Sequence, residues 1–119
     1  LAKKNILHNE NLLDLIPQRV VAHEETGEGR IVLLKPKFSN KFLAGLFMER
    51  MKRPYYKINL DGYGSFVWKC CDGKNTVARI GELLRKEFRK DIEPVYERLG
   101  MFIRTLESNH FITYSQAKE

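Results

Sequence analysis

Asp61-Gly62-Tyr63-Gly64-Ser65-Phe66-Val67-Trp68-Lys69-Cys70-Cys71-Asp72-Gly73-Lys74-Asn75-Thr76 is the stretch on which the reading of this 119-residue chain turns. Asp61 or Gly62 opens a helix, Phe66, Val67, Trp68 and Cys71 give it an apolar side, and Asp72-Gly73 stops it. Thr76 then caps a second helix, whose apolar positions Val77, Ile80, Leu83, Leu84 and Phe88 keep helical spacing. A third helix is predicted to begin near Asp91 to Glu93, with Pro94 in a first turn that needs no N–H. It carries Val95, Leu99, Phe102, Ile103 and Leu106 on one face, and Ser108-Asn109 breaks it.

Working outward, Tyr55 to Leu60 reads as a strand with Tyr56, Ile58 and Leu60 on one face. Arg19 to His23 and Arg30 to Lys35 read as the two strands of a hairpin, joined by the polar, glycine-containing Glu24 to Gly29, and Pro36 ends the second. Between that hairpin and Tyr55, Ser39 can cap a helix running to about Lys52, with Phe42, Leu43, Leu46, Phe47 and Met51 as its stripe and Pro54 as its stop. Residues 1–17 read as a loose lead-in with a helical turn near Asn11 to Ile16, and His110 to Tyr114 as a last short strand. The expected class is α+β: one winged-helix-like domain over residues 1–119. Short N-terminal β-strands join a three-helix bundle, and residues 37–53 form an inserted helix between strands two and three.

Charge is concentrated. Lys35, Lys37, Lys41, Arg50, Lys52, Arg53 and Lys57 face a single acid, Glu49, between positions 35 and 57. Their net of +6 equals that of the whole chain, so the remainder is neutral overall. Such a patch favours an acidic peptide, a nucleic acid or a membrane surface, and a solvated helix face is the plain alternative. No apolar run approaches the roughly 20 residues of a membrane span, so no membrane partner is expected. Leu1 to Ile6 hold no apolar core of signal-peptide length. The two cysteines are neighbours, Cys70 and Cys71, which disfavours a disulfide and makes a reducing cytoplasm the simplest compartment.

Catalytic spacing is missing. His8, His23 and His110 lie far apart, with no HExxH or CxxC, so neither a metal nor another cofactor is expected. Cys70 and Cys71 end a helix, where a thiolate is not favoured, and read as packing residues. The glycines after Asp61 lack the Walker lysine and the full GxGxxG spacing. A winged-helix DNA-binding regulator is the alternative function. Against it, the third helix holds Glu93, Glu97 and Glu107 against Arg98 and Arg104, which would bring acids to phosphates.

A family becomes visible from Leu60 to Ile112. The run Leu60-Asp61, Gly64 to Trp68, Cys71-Asp72-Gly73, Thr76-Val77, Ile80, Leu84 and Phe88, closing with Val95, Phe102, Ile103, Leu106 and Ile112, resembles the PqqD family. Its founding member is a peptide chaperone in pyrroloquinoline quinone biosynthesis, and its fold is shared with recognition elements of ribosomally made, modified peptides. Asp-Gly-x-x-Thr is the most specific part, followed by the Val-Trp upstream of it. The resemblance implies a non-catalytic, cytoplasmic accessory protein. It would bind a precursor-peptide leader by strand addition and present it to a radical SAM-type or other maturation enzyme. It places the peptide along Tyr56, Lys57, Ile58, Asn59 and Leu60, beside Val95, Arg98, Leu99 and Phe102, with some of these in the core. Lys57 and Arg98 would meet acidic leader residues. The inserted segment departs from the family pattern: it could cover that edge, extend the groove or form a partner face. An edge strand and an apolar insert leave a homodimer open.

Overall fold

In the computed structural model, residues 11–37, 45, 50 and 52–115 are described. They form three α-helices and two short antiparallel sheets, an α+β architecture. Strands are β1 (Ile16–Arg19), β2 (Ala22–Glu25), β3 (Ile31–Pro36), β4 (Tyr55–Asn59) and β5 (Ile112–Ser115). Helices are α1 (Gly62–Cys70), α2 (Val77–Phe88) and α3 (Val95–Ser108). The chain divides into two compact units: Val21–Ser65, and the chain up to Val20 together with that from Phe66 onward.

The helical unit holds α2, α3, most of α1 and the β1–β5 ribbon, whose register runs from Ile16 opposite Ser115 to Arg19 opposite Ile112. Thr76 caps α2 as its spacing predicts, its Oγ accepting the Arg79 N–H at 3.1 Å. Val77, Ile80 and Leu84 of α2 are buried, as are Val95, Leu99, Ile103 and Leu106 of α3. A contact between the two helices is made by a glycine. A Cβ on buried Gly81 would fall on the Tyr96 ring, 2.8 Å from its Oη. That ring is held in place: its hydroxyl donates to the Ala78 carbonyl at 3.1 Å, and the Arg85 guanidinium lies 5.2 Å from its centroid. Arg85 in turn bonds Glu93, Nε to Oε2, at 2.8 Å.

The sheet unit is a three-stranded antiparallel sheet in the order β2-β3-β4. His23 lies opposite Leu33, and Leu33 opposite Ile58. The turn Thr26 to Arg30 closes the hairpin, the Thr26 N–H donating to the Arg30 carbonyl at 2.8 Å. Asp61 opens α1, its carboxylate accepting the Gly64 N–H at 2.7 Å.

Two expectations are corrected. Arg19 to His23 is not one strand: the Arg19 N–H donates to the Cys71 carbonyl and the Val20 N–H to that of Phe111, both at 3.0 Å. The run therefore breaks at Val20-Val21, and β2 continues to Glu25. The helical turn expected near Asn11 to Ile16 is there, a 3-10 turn, Leu12–Asp14, capped by Asn11, but over residues 11–17 the lead-in is not loose: the chain enters β1 with Leu15 and Pro17 buried. The helix expected between Ser39 and Lys52 falls outside the described residues except for Gly45, Arg50 and Lys52.

Candidate functional site

The Asp-Gly-x-x-Thr turn does architectural work in the helical unit. The Asp72 carboxylate accepts the backbone N–H groups of Lys74 and Asn75 at 2.9 and 3.1 Å. Partial burial alone would raise its pKa, but those donors outweigh burial and hold the carboxyl below the usual carboxylate range. Gly73 sits at φ +79°, and its N–H donates to the Pro17 carbonyl at 3.0 Å. A side chain there would be strained and would meet Gln18 Oε1 at 2.9 Å. The Val77 N–H donates to the Leu15 carbonyl at 2.9 Å, so both ends of the turn are tied to β1 and the residues before it. Cys71 is fully buried, and burial, with Cys70 beside it, pushes its thiol up to about 12. Burial raises Cys70 as well. Both stay protonated at neutral pH, unsuited to nucleophilic work.

The expected peptide-binding strand is the outer strand of the three-stranded sheet. No strand among the described residues pairs with its outer side. The ladder decides which backbone groups face outward. Lys37 donates to the Pro54 carbonyl at 3.0 Å, and Leu60 donates to the Ile31 carbonyl at 2.9 Å. Between these ends the Cα register is regular, Tyr56 opposite Lys35 and Ile58 opposite Leu33. Hydrogen-bonded and non-hydrogen-bonded pairs alternate in an antiparallel ladder. Tyr56, Ile58 and Leu60 therefore aim their backbone groups at β3. Tyr55, Lys57 and Asn59 aim theirs away from it. At the inner end Ser65, 3% exposed, completes the ladder: its hydroxyl accepts the Ile31 N–H at 2.8 Å and donates to the Leu60 carbonyl at 3.4 Å.

Of the residues named from the sequence, Tyr56 to Leu60 thus lie together in one extended segment. Tyr56, Lys57 and Asn59 are exposed, and Ile58 and Leu60 half-buried. Sequence reasoning missed Tyr55, whose backbone faces outward, because the parity of a strand depends on a partner that the strand's own residues do not reveal. The α3 residues named with them belong to the helical unit. Val95 and Leu99 are buried, Phe102 is half-buried and Arg98 exposed, its guanidinium donating to the Asp91 carbonyl at 3.0 Å. Among the described residues no group of three or more His, Cys, Asp and Glu side chains could hold a metal, and no helix is long and apolar enough to cross a membrane.

A family model described as coenzyme PQQ synthesis protein D (PqqD) matches residues 51–112. The match takes in β4, the three helices and the first residue of β5. No curated protein and no solved structure matches the chain. The matched segment is just over half of the sequence and contains the Asp72-to-Thr76 turn, the Ser65 bridge and the outer strand, and on that match the chain belongs to the PqqD family.

Proposed function

We propose that this protein is a non-catalytic accessory factor that binds the leader of a precursor peptide by adding it as a strand to β4, and presents it to a maturation enzyme. The observation that carries the reading is the outward-facing backbone of Tyr55, Lys57 and Asn59 on a strand with no outer neighbour among the described residues. An extended peptide satisfies those N–H and C=O groups at 4.7–4.9 Å spacing without any rearrangement of the sheet. Family membership supports the reading, because the name of the family ties it to the making of a coenzyme. In this reading the fold is winged-helix-like, the setting cytoplasmic and the enzyme partner of radical SAM type. The raised pKa values of both thiols support a role without covalent chemistry.

The test is to capture the tagged protein's short peptide ligands from its native extract and titrate a captured peptide into the 15N-labelled full chain. Amide shifts concentrated on Tyr55, Lys57 and Asn59 are the expected result. A tight-binding peptide whose shifts leave β4 untouched would sink strand addition.

A further inference from the structure

The outer strand begins beside a basic hollow of about 590 Å³, lined by Lys37, Lys52, Arg53, Tyr55, Tyr56 and Lys57. Four of these carry positive charge, and none of its described lining residues is an acid. Lys37 lies 5.2 Å from the centroid of the Tyr56 ring. Tyr56 is 56% exposed, so that pair stands open to solvent on the outer part of the sheet. Among the described residues, the ion pair reaching into the cluster is Lys57 with Glu24, at 3.7 Å between exposed groups, too weak to neutralise it.

Two lining residues, Tyr55 and Lys57, also present outward-facing backbone groups. A chain added to β4 therefore runs directly into the hollow. We infer that the hollow is a carboxylate subsite, and that the protein selects extended peptides carrying a cluster of Asp or Glu at the end that passes β4's first residues. This rests on strand addition to β4, and it names the chemistry of the peptide that the strand takes. A polyanion such as nucleic acid fits the same cations but not the ladder, since its backbone has no N–H and C=O groups at strand spacing. Glu24, Glu25 and Glu28, all exposed on β2 and its turn, oppose a polyanion lying across the whole sheet.

The experiment uses the labelled full chain and peptides of alternating threonine and valine ending in a run of glutamates, at either terminus, or in glutamines. The glutamate peptide is expected to bind about ten-fold tighter at low salt. The preference should fade at about 1 M salt, where the screening length falls to roughly 3 Å. The triple variant Lys37→Gln/Lys52→Gln/Arg53→Gln should lose the preference and keep its affinity for the glutamine peptide. Equal binding of both peptides with shifts on β4 would overturn the carboxylate subsite and leave strand addition standing. Absence of shifts on β4 with either peptide would overturn both. Tighter binding of a short DNA duplex to the same residues than of the glutamate peptide would overturn the selection of peptides.

Discussion

Gly81 shows how much a single missing atom can decide. Its hydrogen-only side lets the Tyr96 ring sit on α2, where the ring's hydroxyl reaches the Ala78 carbonyl. A methyl at that position collides with a ring that is bonded at its far end and cannot swing away cheaply. Gly81→Ala should destabilise the protein by about 1–3 kcal/mol despite the higher helix propensity of alanine. Urea unfolding would measure it, and the double variant Gly81→Ala/Tyr96→Ala should fall well short of the sum of its parts, since the two residues share one contact. A glycine inside α2's regular apolar pattern is visible in the sequence, but its reason is not. The ring it accommodates lies fifteen positions further on, on another helix. The Thr76 cap, by contrast, is a local signal, legible because its partner is only three residues away.

At the scale of elements, the helices and the strand from Arg30 to Lys35 were legible, and the bounds of the strand before it were not. Val77, Ile80 and Leu84, or Val95, Leu99, Ile103 and Leu106, repeat with the helical period and are buried as the period requires. The break at Val20-Val21 has no such internal sign. Its cause is the pull of Cys71 and Phe111, carbonyls dozens of residues away. Pro17 likewise looks like a stop. It sits in β1 opposite Tyr114, giving its carbonyl to Gly73. The candidate site was half legible: the strand was found, but the outward parity of Tyr55, Lys57 and Asn59 needed the register with β3. That parity gives a sharp contrast. Lys57→Pro removes an outward N–H and no ladder bond to β3, so it should change the unfolding free energy measured in urea by no more than about 0.5 kcal/mol and weaken peptide binding at least about ten-fold. Ile58→Pro removes a ladder donor and should lower the unfolding midpoint itself. Equal loss of binding without loss of stability in both variants would contradict the register.

For the whole molecule, stability should form a plateau across neutral pH with a fall on each side. On the acid side Asp72 and Glu93 have folded pKa values below their ordinary ones. For Asp72 the backbone donors overcome burial, and for Glu93 the hydrogen bond from Arg85 leads. Their contribution is present above the unfolded values near 4 and is lost as pH falls through the folded ones. On the alkaline side burial leads, raising Cys71 and Tyr114 to about 12 from ordinary values of 9.0 and 10.0. A raised acid contributes below its unfolded value and loses that contribution as pH climbs through the folded one, so the fall begins near pH 9 and deepens toward 12. Urea midpoints measured across this range would show both limbs. Tyr114→Phe should shallow the alkaline limb and cost little at neutral pH, because the buried Tyr114 hydroxyl has no hydrogen-bond partner among the described residues.

Strand addition to β4, as proposed, would draw on main-chain groups that every amino acid except proline carries. Mutation at Tyr55, Lys57 or Asn59 can therefore alter which ligand is preferred while the basic handhold persists. A lineage descended from such a protein can drift from one client to another without crossing a generation that grips nothing. Family resemblance, carried here by turns and helix packing, would survive that drift intact. Kinship among such chains then forecasts the manner of binding better than the identity of what is bound.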